Sequence, residues 1–204
     1  MSLRLQPGDP ELLIGLARAG DEAALGRLLE LYRNYLRLLA RTQVGGTIRV
    51  RLDPSDLVQE AFLKAHRYFK QFQGATEREF MTWLRQILVR TIADRVKHHG
   101  AKGRDWRRQE SLEALLDRSS AAAHEALTAG IATPNAHASR REQAVLLADG
   151  LARFLESYRE VIILRHMERL GFEDIGRRMK RSTGAVRMLW LRALERLRQT
   201  IDTG

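Results

Sequence analysis

The 204-residue chain has no cysteine, which excludes disulfides, thiolate zinc sites and cysteine catalysis and fits a reducing, cytoplasmic setting. Its six histidines are too scattered to read as a metal site. No uninterrupted apolar run approaches the roughly 20 residues of a membrane helix, and the N-terminus lacks a basic region leading into a hydrophobic segment and cleavage site. A soluble, untargeted protein with no membrane partner is expected. Strand-like alternation is confined to Thr47–Leu52, too isolated to pair, so an extended connector is expected there. There is no internal repeat and no long low-complexity block. Acids are also in deficit: 25 Asp and Glu against 35 Lys and Arg leave a formal charge of +10, which favours a polyanionic partner, nucleic acid first. The length allows one or two domains with a real core.

What is present is helical, and it centres on Asp53–His99. Asp53 is a good N-cap, Pro54 suits the first helical position, and Asp56 stands where a capping-box carboxylate would reach back. Leu57, Val58, Ala61, Phe62, Ala65 and Phe69 then recur at helical spacing, with Asp56, Gln59, Glu60, Lys64 and Arg67 on other faces. Gly74 and its polar neighbours break the pattern before Thr76 or Glu77 caps a second helix. That helix buries Phe80, Trp83, Leu84, Ile87, Leu88, Ile92 and Val96 and shows a basic face of Arg85, Arg90, Arg95 and Lys97. Phe72 reads equally as core or as a stackable loop aromatic, and Trp83 reads as core.

Upstream, residues 1–10 read as a leader. A short helix over Glu11–Ala19 precedes a longer one, capped by Gly20-Asp21, that runs to about Thr42 with Leu25, Leu28, Leu29, Tyr32, Leu36 and Leu39 inward. Downstream of His99 the chain is glycine-broken and basic, with a short helical pattern through Leu112, Leu115 and Leu116. Ser119–Ser139 is then too poor in large apolar residues to build a core and reads as linker. The expected architecture is all-α: a helical domain over 11–100, a linker over 101–142 and a second helical domain over 143–204. In that second domain, helices are expected over Val145–Leu155, Tyr158–Met167, Phe172–Met179 and Thr183 to about Thr200. Two short helices, a tight turn and a longer basic helix describe a helix-turn-helix. Arg177–Arg198 holds eight Lys or Arg and one acid, the footprint of a duplex-binding face.

Asp53-Pro-Ser-Asp-Leu-Val-Gln-Glu-Ala-Phe62, with Phe69, Phe72 and Phe80-Met-Thr-Trp-Leu84, resembles the second conserved region of bacterial sigma factors of the extracytoplasmic-function (ECF) class. Tyr158–Arg165, Phe172-Glu-Asp-Ile-Gly176 and Ser182-Thr-Gly-Ala-Val-Arg187 resemble the fourth region. The resemblance implies a two-domain subunit that binds bacterial core RNA polymerase, recognises promoter DNA and promotes strand opening, with no active site, metal or cofactor of its own. It assigns Asp56, Gln59 and Glu60 to the polymerase-facing surface, so that Glu60→Lys is expected to weaken polymerase binding with the fold intact. It assigns Phe72, Gln73, Gly74 and Thr76 to a loop that captures an unpaired base of the minus-ten element, and Arg85, Arg90 and Arg95 to phosphates. Arg181, Ser182, Thr183 and Gly184 would open the recognition helix near the DNA backbone, with Arg187, Met188 and Arg192 in the major groove of the minus-thirty-five element.

The chain departs from the family pattern at Thr91, where asparagine is frequent and a base contact is implied, and at Met188 and Leu189, where Ser-Arg is frequent. The second departure makes direct readout less polar or sets Met188 against a thymine methyl. An anti-sigma protein is a further partner of the kind the resemblance implies. Two other readings are open to the residues alone. A stand-alone helix-turn-helix regulator would bind operator duplex by itself, and Asp53, Asp56 and Glu60 have spacing that permits metal ligation. Capping and partner contact account better for those three carboxylates.

Overall fold

The computed structural model describes residues 9–46, 52–98 and 140–202. Every element among them is helical, and they fall into two compact units that divide between Ala114 and Leu115. Residues 47–51 of the Thr47–Leu52 connector, the basic glycine-broken stretch, the helical pattern through Leu112 and the Ser119–Ser139 linker lie outside the described residues.

The first unit comprises α1 (Pro10–Arg18), α2 (Glu22–Leu31), α3 (Arg33–Gly46), α4 (Pro54–Tyr68), a 3-10 turn (Phe69–Gln71) and α5 (Glu77–His98). Aspartates start three of these helices by accepting free amides: Asp9 from Glu11, Asp21 from Ala24 and Asp53 from Ser55. The single helix expected from Asp21 to Thr42 is in fact two. The chain bends at Tyr32 (φ −101°, ψ 3°), whose amide donates to the Leu29 carbonyl in a tightened last turn. Tyr32 is thereby buried with its ring 5.7 Å from that of Phe80 and its hydroxyl donating to Glu77 at 2.9 Å. Periodicity passes through such a bend unbroken, since Leu36 and Leu39 beyond it are as fully buried as Leu28 before it.

Helix α5 forms the axis of this unit. Phe80, Leu84, Ile87, Leu88 and Ile92 are buried as their spacing predicts, and Met81, Val89 and Thr91 are buried as well. Packed by α1, α3 and α4, the helix is enclosed over more of its circumference than one apolar stripe covers. After its first turn, its exposed residues narrow to Thr82, Gln86, Arg90, Asp94, Lys97 and His98.

The second unit comprises α6 (Arg140–Ala152), α7 (Glu156–Ile162) with a π-helical turn over Ile163–Met167, α8 (Phe172–Met179) and α9 (Thr183–Asp202). Its core is Leu147, Leu151, Val161, Ile162, Ile175, Val186, Ala193 and Leu197. Arg159 stitches α6 to α7: its guanidinium donates to the carbonyls of Leu151, Ala152 and Phe154 at 2.9–3.1 Å. They belong to the last turn of α6 and the loop after it, where the Leu151 carbonyl also accepts the Phe154 amide at 3.2 Å.

Candidate nucleic-acid and polymerase interfaces

The loop between α4 and α5 is built on an aromatic cluster. Phe72 is only 8% exposed, with its ring centroid 5.1 Å from Trp83, 5.6 Å from Phe80 and 5.9 Å from Phe69. It is core first, forming the floor on which Gln73-Gly74-Ala75-Thr76 runs. Gly74 crosses that floor so closely that a Cβ there would lie 2.4 Å from Phe72 Cζ and 2.8 Å from Glu79 Cβ. The loop is held at both ends: Arg18 donates to the Gly74 carbonyl at 3.3 Å, and Thr76 and Glu79 form a reciprocal capping box that starts α5. Thr76 Oγ1 accepts the Glu79 amide at 3.3 Å, while the Glu79 carboxylate accepts the amides of Ala75 and Thr76 at 3.0 and 3.1 Å. Those amides, Ala75 first, hold the Glu79 carboxyl below its ordinary value. Gln73 and Thr76 are exposed on this fixed loop.

On α4, Asp56 and Gln59 project into solvent. The N-terminal bonds of this helix run to Asp53, which accepts from Ser55 at 2.6 Å; that bond is the main reason the Asp53 carboxyl lies below its ordinary value. Glu60 is different. It accepts from Arg95 of α5 at 2.5 Å and lies 3.3 Å from Lys64, which in turn donates to Asp94 at 3.0 Å. Partial burial works to raise the Glu60 carboxyl, but the bonds from Arg95 and Lys64 outweigh it and the net direction is down. For Lys64, burial works downward and is outweighed by Asp94 and Glu60, so its pKa is raised. Two of the three carboxylates considered for a metal, Asp53 and Glu60, are thus occupied by an amide and by cations.

The basic face expected on α5 is divided. Arg90 and Lys97 stand on the exposed strip, Arg85 is half-buried, and Arg95 is turned to Glu60. Thr91, assigned to DNA from its position in the motif, is fully buried, and its hydroxyl donates to the Ile87 carbonyl at 2.8 Å. It offers no surface to a base here. Its threonine methyl and satisfied hydroxyl suit a core site, which composition alone does not distinguish from a polar contact.

In the second unit the turn between α8 and α9 is set by close backbone contact. Lys180 adopts the left-handed conformation (φ 54°, ψ 46°), and the Arg181 amide donates to the Gly176 carbonyl at 2.9 Å. A Cβ on Gly176 would lie 2.8 Å from the Arg181 carbonyl oxygen, so only glycine fits without displacing the turn. Ser182 Oγ accepts the Ala185 amide at 3.2 Å and caps α9. Trp190 holds the same helix from behind, donating from Nε1 to His166 Nε2 at 3.0 Å with Phe172 edge-on at 5.5 Å. Arg165 and Arg187 lie over the Phe172 ring at 4.5 and 5.5 Å. Arg181, Ser182, Gly184, Arg187, Met188 and Arg192 are exposed along the turn and α9, and Thr183 is half-buried.

The model of the family described as ECF sigma factor matches residues 11–203, spanning both units. The chain belongs to the ECF sigma factor family. Similar proteins include the ECF RNA polymerase sigma-E factor of Haemophilus influenzae, 29% identical over 94% of this chain and 95% of the relative. The ECF RNA polymerase sigma factor SigD of Mycobacterium tuberculosis H37Rv is 30% identical over 98% of this chain and 87% of the relative. The sigma-E factor of Escherichia coli K12 is 28% identical over 91% and 90%. As an ECF sigma factor the chain acts with core RNA polymerase and promoter DNA in transcription initiation. The stand-alone regulator, which would leave the first unit without a family counterpart, is not favoured.

Proposed function

We propose that the first unit carries polymerase binding and minus-ten capture and that the second reads the minus-thirty-five element, with catalysis left to the polymerase. The observation that carries this division is the pairing of two differently built surfaces. One is a rigid loop on an aromatic floor at the C-terminal end of α4 together with the acidic start of that helix at its other end, and the other is a glycine-dependent helix-turn-helix with a basic recognition helix. Asp56 and Gln59 present the polymerase-facing patch, with Glu60 holding α4 to α5 behind it. Phe72 supports the capture loop from below, and Gln73, Gly74 and Thr76 form its rim, where polar edges meet an unstacked base. Arg85, Arg90 and Arg95 serve the phosphate backbone, Arg95 by exchanging its Glu60 partner. Arg181, Ser182, Thr183 and Gly184 seat the recognition helix, and Arg187, Met188 and Arg192 enter the major groove. The setting is cytoplasmic, consistent with the absence of a membrane-length apolar helix among the described residues, and an anti-sigma protein is the partner class expected to oppose the polymerase.

The test is competition for core polymerase. Asp56→Arg and Gln59→Arg change exposed side chains and are expected to lower affinity for core enzyme at least tenfold with an unchanged helical circular-dichroism signal. Full affinity in both variants would remove this patch from the interface.

A further inference from the structure

The recognition helix carries its outermost ridge in apolar side chains. With 3.6 residues per turn, Gly184, Met188 and Leu191 lie on the side of α9 opposite the buried Val186, Ala193 and Leu197. Met188 and Leu191 are each 51% exposed, while a Cβ on Gly184 would meet nothing within 4 Å. Arg187 flanks the ridge on one side, its guanidinium over Phe172, and exposed Arg192 flanks it on the other. One turn further on stands Glu195, exposed and accepting from Gln199 at 3.1 Å. Its charge disfavours phosphate, so it limits close approach to the first two turns.

An apolar ridge between arginines fits one feature of duplex DNA. The major groove is lined by donors and acceptors except at the thymine 5-methyl, the one apolar group a base pair presents there. Arg187 and Arg192 bring positive charge into the groove on either side of the ridge, and Gly184 leaves space for the helix to enter. We propose that Met188 and Leu191 read the 5-methyl groups of adjacent thymines in the upstream promoter element, so that this sigma factor selects thymine at one or two positions by apolar contact. This rests on the assignment of the second unit to the minus-thirty-five element and adds the base identity and the two residues that choose it, of which Leu191 carries no motif signal.

The experiment uses the full chain with bacterial core polymerase on a promoter that this holoenzyme transcribes. The upstream element is synthesised with each thymine in turn replaced by uracil, which removes the methyl and nothing else. Loss of one buried methyl corresponds to about fourfold weaker binding, expected at one or two adjacent positions. Met188→Ala or Leu191→Ala should abolish the thymine-over-uracil preference at its own position, while Arg192→Ala should weaken thymine and uracil duplexes alike. Both apolar side chains are half-exposed, and unchanged circular dichroism would verify the fold of each variant. Discrete transcription starts with equal binding of thymine and uracil duplexes would overturn the ridge and leave the sigma assignment standing. Retention of the preference in both alanine variants would also overturn it, and so would equal losses on thymine and uracil duplexes, the result expected of a ridge that contacts protein instead. The absence of any discrete start would overturn the sigma assignment and the ridge together.

Discussion

Glu60 and Arg159 show how far a side chain's motif position can stand from its work in the fold. Glu60 is bonded to Arg95 and paired with Lys64, so Glu60→Lys would set a third cation between two others and disturb the α4–α5 contact. The expectation of an intact fold does not carry over, and Asp56 and Gln59 are the cleaner probes. The signs of the shifts set the pH window. The Glu60 carboxyl is held below its ordinary 4.5, so its contribution is fully present above that value and lost as pH falls through the lower folded one. Lys64 is raised above 10.5, so its contribution is present below that value and lost as pH rises through the higher folded one. Glu60→Gln should therefore narrow the difference between urea midpoints at about pH 7 and about pH 3, followed by exchange of α4 and α5 amides; an unchanged difference would contradict the assignment. Arg159 was legible only as part of a motif, whereas its role is to tie down the end of α6 and the loop after it through three carbonyls. Arg159→Ala should destabilise the second unit by about 1–3 kcal/mol in chemical denaturation, the cost of leaving such groups unsatisfied.

At the scale of elements, helix positions followed from capping and periodicity, and the errors have physical causes. Asp53 with Pro54 marked the start of α4, and α8 and α9 begin at Phe172 and Thr183 as their spacing predicts. The bend at Tyr32 escaped because apolar spacing is kept on both sides of it. Likewise the enclosure of α5 escaped because a helix packed by three others buries residues, Thr91 among them, that a single stripe leaves outside. The aromatic floor was half legible: spacing put Phe69, Phe80 and Trp83 inside but left Phe72 undecided, since a loop position has no period. Phe72→Ala should cost about 3–5 kcal/mol of first-unit stability, so loss of promoter opening in that variant would not report on base capture. Gln73→Ala, exposed on the same loop, is the informative change. Gly176→Ala forces a Cβ against the Arg181 carbonyl and should cost about 1–3 kcal/mol. Thermal unfolding together with loss of upstream-element binding would check it, and wild-type behaviour in both would show that the turn yields.

For the molecule as a whole, the charge of +10 is distributed in a way that suits its partners. The α9 end of the chain is strongly basic, Arg95 of α5 is paired with Glu60 and Lys64 of α4 with Asp94, and the start of α4 shows exposed acid and amide. A chain that bound operators alone would need its positive surface to suffice for affinity. A sigma factor instead needs one surface for polymerase and others for DNA, and the family match across residues 11–203 covers both. The account therefore predicts that specificity appears only in the complex. The direct measurement is transcription from a pool of genomic fragments by purified bacterial core RNA polymerase, with and without this chain, with the RNA starts mapped. Discrete new starts that share two sequence elements at fixed spacing are predicted. No new start, from a core enzyme active with another sigma factor, together with tight duplex binding by the chain alone, would contradict the account.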